Sequence, residues 1–233
     1  MQGRLALDVQ TASRVIYSDR LQAAKLLSKK LTHFRGRDPL ILAIPRGGVV
    51  LGAVLADETM GELDVVIVRK LRCPWNQELA IGAIVESGIN YLTPLGEKIK
   101  KDHPDYLESE IHYQSGVIAE RSAQIRKVKS LAKWEGRTII LTDDGIATGA
   151  TFMGALRVIN SKKPQELIAA IPVLPQERIK DVRQECNQLV YLQAPSDFEA
   201  VGQFYTSFPT VDMNEVIEKL RSCENRLKEK RLC

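Results

Sequence analysis

The residues best placed to do chemistry are contiguous: Thr142-Asp143-Asp144-Gly145-Ile146-Ala147-Thr148-Gly149-Ala150-Thr151. They follow the apolar, β-branched run Thr138-Ile139-Ile140-Leu141 and lead into a stretch of small and apolar residues that reads as a helix. Two adjacent carboxylates at a strand end can accept hydrogen bonds from a pair of vicinal hydroxyls. The loop Ala147-Thr148-Gly149-Ala150-Thr151 can turn several backbone N–H groups onto one phosphate, with the Thr148 and Thr151 hydroxyls as further donors. A helix opening there adds the attraction of its dipole for an anion, and Gly149 lets the backbone approach closely. Single residues of this kind suit an ordinary turn. The whole string favours a site for a ribose phosphate.

Three further clusters carry charge. In Ile44-Pro45-Arg46-Gly47-Gly48 an arginine and two glycines stand at the end of a buried strand, where Arg46 can pair with phosphate oxygens and Gly47 can present its N–H. On its own this is a tight turn with a surface arginine. Arg69-Lys70-Leu71-Arg72 follows the next strand and offers cations to a polyanion, or forms a solvated charge cluster. Cys73-Pro74-Trp75-Asn76-Gln77-Glu78-Leu79 has turn composition and could form part of a lid. Glu78 and Glu86 are the weak candidates for a catalytic acid or base, since neither has a visible partner in the sequence.

These residues need a scaffold, and the pattern around them supplies one. Apolar runs at 39–44, 64–68, 138–142, 167–174 and 188–192 read as strands, with hairpin material at 80–86 and 89–93 around Ser87-Gly88. Helical stretches at 47–60, 149–160 and 175–185 alternate with them, which implies a parallel, doubly wound α/β sheet. Strands apolar throughout agree with burial on both faces. Leu107, Ile111, Ile118, Ile125 and Val128 recur at helical spacing, and Ser18-Asp19 can cap an N-terminal helix. Phe198, Phe204, Tyr205 and Phe208 make a dense aromatic patch before a final helix over 211–231. The organisation expected is a core over 1–193, including the N-terminal helix, and a C-terminal segment with its helix over 194–233. Open sheets of this class bind ligands beyond the carboxyl ends of their strands, where the motifs fall.

The string at 142–151 resembles the 5-phosphoribosyl-1-pyrophosphate (PRPP) motif of the type I phosphoribosyltransferases. The order of Ala43-Ile-Pro-Arg-Gly-Gly48, Val68-Arg-Lys-Leu71, Glu78-Leu-Ala-Ile-Gly-Ala83, the motif itself and Ala200-Val-Gly-Gln-Phe-Tyr205 is similar to predicted phosphoribosyltransferases of unassigned substrate. The likeness spans roughly residues 10 to 220. It implies that Asp143 and Asp144 bind the ribose hydroxyls and that Ala147, Thr148, Gly149, Ala150 and Thr151 hold the 5-phosphate. It also implies that Arg46, Gly47, Arg69 and Lys70 serve the pyrophosphate, with a non-proline cis peptide at Pro45–Arg46. Mg²⁺ is implied with the PRPP, touching the protein at most through Asp143 and Asp144. A small hood from the chain termini is implied for the acceptor, with the aromatic patch either stacking on a base or packing hood against sheet. A lid would exclude water from an oxocarbenium-like ribosyl centre. Members of the family often form homodimers. Ala147 departs from the 6-oxopurine enzymes, which carry an acid at this position, and argues against hypoxanthine or guanine as acceptor by their usual mechanism. The family also includes PRPP-sensing regulators without turnover, the alternative to a transferase.

Bulk composition narrows the classes. The 233 residues carry 33 Lys and Arg against 29 Asp and Glu, a net charge of +4. That near-even balance argues against nucleic acid as partner, and apart from Arg46 and Arg69-Lys70-Leu71-Arg72 the sequence shows only a modest basic cluster at 220–233. The four cysteines form no C-x-x-C pair, and the three histidines are scattered among polar residues, so a dedicated metal site is not expected. No apolar run approaches the ~20 residues that span a bilayer. With no apolar leader visible at the N-terminus, the expectation is a cytoplasmic protein with reduced thiols.

Overall fold

The computed structural model describes residues 15–86, 88 and 90–232. Its centre is a five-stranded parallel sheet in the order β2-β1-β6-β7-β8, formed by β1 (Leu40–Ala43), β2 (Glu62–Val65), β6 (Thr138–Thr142), β7 (Glu166–Val173) and β8 (Gln188–Gln193). Ile41 and Ala43 of β1 face one buried cluster and Leu40 and Leu42 the other, so the strand is apolar throughout because both faces are covered. Helices α2 (Gly48–Thr59), α1 (Arg20–Ser28) and α7 (Met213–Leu232) pack together on one face. Helix α5 (Ala150–Ser161) lies on the other, against a second sheet.

That second sheet is where the sequence expectation needs correction. The strand expected over 64–68 is β2, which ends at Val65, and the chain then leaves the parallel sheet. Arg69-Lys70-Leu71-Arg72, read as a strand-end cluster, belongs to a strand of its own, β3 (Val68–Cys73), which pairs antiparallel with β4 (Asn76–Val85), itself paired with β5 (Asn90–Leu92). Pro74-Trp75, the centre of the expected lid, is the tip of the β3–β4 hairpin, and 76–79 continue into β4. The hairpin is charged because it does not pack by apolar alternation alone. Arg69 and Arg72 reach polar residues on a helix, and a register shift at Leu71/Arg72 helps turn Arg72 to that side. Residues 87 and 89, in the turn read before β5, lie outside the described residues.

The charged stretch before β6, expected as one long helix or two in tandem, is two: α3 (Pro94–Asp102), capped by the Thr93 side chain, and α4 (Pro104–Arg126). Proline suits the first turn of each, where its missing N–H is no loss. Helix α6 (Ile179–Gln184) follows a single 3₁₀ turn after Pro175. The segment before α1 pairs with the segment before α7. Tyr17 N–H donates to Phe204 C=O (2.8 Å), Thr206 N–H donates to Tyr17 C=O (2.7 Å), and Tyr17, Phe204 and Tyr205 are buried with Ala23 and Val173. No helix among the described residues is long and apolar enough to cross a membrane.

Candidate active site

The strand order decides which loops meet. From β1 the chain passes to β2 on one side, whereas β6 is followed by β7 on the other, and α2 and α5 cover opposite faces. The loops after β1 and β6 therefore diverge and leave a crevice at the carboxyl ends of two neighbouring strands.

Gly47, from the first loop, lies against Asp144, from the second. A Cβ on Gly47 would overlap Asp144 Oδ2 and come within 3.2 Å of Arg20 Nε. A Cβ on Gly48 would sit 3.0 Å from both Asp143 Cα and Thr142 O. Only hydrogen at these positions lets the two loops touch. The Pro45–Arg46 peptide between strand and glycines is cis, as the resemblance implied.

The two carboxylates differ in their surroundings. Asp144 Oδ2 accepts from Arg20 Nε (2.8 Å), in a pair with only 9% and 15% of the side chains exposed. Asp143 Oδ1 accepts the Asp144 N–H (2.8 Å). Burial, and then the charge of Asp144, push the Asp143 carboxyl well above its usual value, only partly offset by that N–H and by Arg20. Arg20 carried no motif. It is held by Pro209 C=O at 2.7 Å and by the Phe208 ring 3.7 Å below its guanidinium. Tyr205 completes the clasp: its hydroxyl donates to Asp144 C=O (2.6 Å) and its ring stacks on Phe208 (4.8 Å). Burial and the nearby Asp144 charge push the Tyr205 phenol up, so it stays protonated and donating. The aromatic patch thus packs and holds the site in place.

Beyond Asp144 the loop reaches α5. Gly149, at φ 81°, is its N-cap, a left-handed conformation that an L side chain resists. Ala147, Thr148 and Thr151 are exposed there, with the first-turn N–H groups of α5 beside them. Thr151 also lines a cleft of about 540 Å³ whose walls include Arg46, Arg69 and Arg121, with Ile125 and Met213. Arg69 Nε donates to Gln114 of α4 (2.9 Å). Arg121 was not singled out by any motif. Its signal lay in the spacing of Gln114, Ile118, Arg121 and Ile125, which shares one helix face.

Other expected residues are not brought in. Lys70 does not line that cleft; the pleat turns it to the side opposite Arg69. Glu86 is gripped by Arg126, whose Nε lies 2.8 Å from both carboxylate oxygens and whose Nη1 reaches the buried Asp64 (2.7 Å). Its lone pairs serve an ion-pair network that anchors α4 to β2. The side chain of Glu78 lies outside the described residues.

A family model for the phosphoribosyl transferase domain matches residues 18–208. The chain belongs to the phosphoribosyl transferase family. A Mycobacterium tuberculosis protein (strain H37Rv) named "Putative phosphoribosyl transferase" is 31% identical over 204 residues, 87% of this chain and 46% of its own length. Its counterpart in strain CDC 1551 matches equally. The chain spans about half the length of the curated relatives it matches. The crystal structure of TT1426 from Thermus thermophilus superposes with a TM-score of 0.83 at 36% identity, covering 89% of this chain and 99% of that one. This phosphoribosyl transferase domain thus takes in the loop after β1, the Asp143-Asp144 string and the Tyr205 clasp.

Proposed function

We propose that this chain binds PRPP and transfers its ribose 5-phosphate to a nitrogenous acceptor with release of pyrophosphate. The observation that carries this reading is the contact between the Arg46-Gly47 loop and Asp144, which sets a cation-bearing turn against a carboxylate pair at the mouth of a helix N-terminus. A ligand with vicinal hydroxyls between two phosphate ends matches that sequence of groups.

In this reading Asp143 and Asp144 accept from the ribose hydroxyls, each retaining an oxygen that Arg20 or the Asp144 N–H does not use. The loop Ala147–Thr151 receives the 5-phosphate on its N–H groups. Arg46, the Gly47 N–H and Arg69 receive the pyrophosphate, and Lys70 has no part because it faces away. Mg²⁺ fits as an ion carried by the pyrophosphate. No cluster of three or more His, Cys, Asp or Glu able to hold a metal occurs among the described residues, whereas Asp143 and Asp144 offer hard oxygens beside the ribose. When bound, the ion neutralises the leaving pyrophosphate. The reaction breaks the bond from ribose C1 to pyrophosphate and forms one from C1 to the acceptor nitrogen, which loses a proton. Ala147 cannot take that proton, so the acceptor is one that needs no acid or base at this position.

Calorimetry with PRPP tests the reading. Mg²⁺-dependent binding by the wild-type protein, lost in the Asp143→Asn/Asp144→Asn variant while circular dichroism shows it folded, is expected. Absence of binding by folded wild-type protein at millimolar PRPP overturns the reading. A pyrophosphate-release screen across bases then identifies the acceptor.

A further inference from the structure

The 540 Å³ cleft carries more positive charge than the motifs account for. Its arginines come from three elements far apart in sequence: Arg46 from the loop after β1, Arg69 from β3 and Arg121 from α4. No carboxylate lines it among the described residues. Arg20, Arg72, Arg126, Arg137 and Arg157 all hold carboxylates, as buried or half-buried guanidiniums generally do. Arg46 and Arg121 instead have no hydrogen-bond or ion-pair partner among the described residues, and both are exposed to the cleft.

The position of Arg121 is not accidental to the helix. Gln114 and Ile118 precede it on the same face and are buried, and Ile125 follows one turn on and is buried as well. Gln114 holds Arg69. One stripe of α4 therefore orients Arg69 and presents Arg121. Guanidiniums gathered without a counter-charge repel one another, and a polyanion relieves that repulsion. The number of donors selects the kind of anion. A carboxylate is satisfied by one planar fork, whereas a pyrophosphate has enough oxygens to occupy three.

We infer that Arg121 is a pyrophosphate-binding residue and completes a three-arginine cradle with Arg46 and Arg69. This rests on the PRPP reading above but adds a ligand from a helix to which no motif points. Arg121 draws charge off the leaving group as the bond to ribose C1 breaks, so it acts on turnover as well as on binding.

The test is calorimetry of inorganic pyrophosphate with Mg²⁺, of PRPP with Mg²⁺ and of ribose 5-phosphate, on the wild-type protein, Arg121→Gln and Arg121→Lys. Arg183→Gln, an exposed cation on α6, controls for net charge. Arg121→Gln is expected to weaken pyrophosphate and PRPP by about 10- to 100-fold, the loss of one or two charge-assisted hydrogen bonds. It should leave ribose 5-phosphate unchanged, and Arg121→Lys should fall between the two. If Arg121→Gln binds pyrophosphate as the wild type does, or weakens ribose 5-phosphate equally, the inference fails and the PRPP reading stands. If the wild-type protein binds neither PRPP nor pyrophosphate, both fail.

Discussion

At the scale of single residues, the site depends on an absent side chain and on a carboxyl held above its usual value. Gly47 has an ordinary φ of −59°, so alanine is acceptable to the backbone there; what it lacks is room. Gly47→Ala should therefore cost about 1–3 kcal/mol in denaturant unfolding, as overpacking does, because Asp144 must move. It should also weaken PRPP by more than tenfold. A Gly47→Ala protein with native stability and affinity would show that the loops do not need their contact. Asp143 gives a pH signature of two signs. Its folded carboxyl holds a proton more tightly than the unfolded chain does, so stability falls as pH rises from the unfolded value of 3.8 through the folded one, and acidification restores it. Ligand binding moves the other way, because a protonated Asp143 is a poorer acceptor for a ribose hydroxyl. PRPP affinity should fall on acidification before ordinary aspartates titrate; calorimetry across pH checks this, and a flat profile would contradict it.

Among the elements, α4 has the most to position. Glu110, with 4% of its side chain exposed, accepts from Arg72 at Nε and Nη2 (2.8 Å each), from the Arg72 N–H and from Gln114, which in turn holds Arg69. Burial opposes the charged form of Glu110, but the bonds from Arg72 and Gln114 outweigh it and hold the carboxyl below its usual value. Glu110→Ala leaves four donors on two residues without their acceptor and should lower unfolding stability by about 2–3 kcal/mol. Because the loss passes through Gln114 to Arg69, pyrophosphate affinity should fall with it. At the edge strand β2, Glu62 is opposed by burial yet held below its usual value by Lys129 and Arg137. A depressed carboxyl contributes stability that is present above the unfolded value of 4.5 and is lost as pH falls through the folded one. Acid unfolding followed by circular dichroism should show that limb in the wild type and its loss in Glu62→Gln.

Across the whole molecule, the site is closed by residues far apart in sequence. Arg20 lies 124 residues from Asp144 and 189 from Pro209, yet joins the N-terminal helix, the carboxylate pair and the C-terminal segment in one partly buried cluster. Removing one partner of such a pair leaves the other charge uncompensated, so Arg20→Ala should destabilise by about 3 kcal/mol. Tyr205→Phe, which removes one hydrogen bond to Asp144 C=O, should cost about 1 kcal/mol. Both residues act on Asp144, so the double variant should be non-additive in thermal unfolding. Strict additivity would mean that the clasp is two separate contacts.

By itself the sequence determined whatever is local. The parallel strands could be read because each is a run of apolar residues buried on both faces. The phosphate loop could be read because its donors, its glycine and its helix start are contiguous. The Pro45–Arg46 turn was legible by likeness to a family motif. Tertiary structure decided what depends on distant partners. Residues 69–72 resembled a solvated strand end because the charges they carry in β3 are satisfied by Gln114 and Glu110 on a helix some 40 residues away. Glu86 looked free until Arg126 was folded onto it. Arg20 was invisible to motif and periodicity alike, and for Arg121 the helical spacing gave the face but not the cleft that face borders. A guanidinium's role is set by which carboxylate or cleft it reaches, and a window along the chain contains neither.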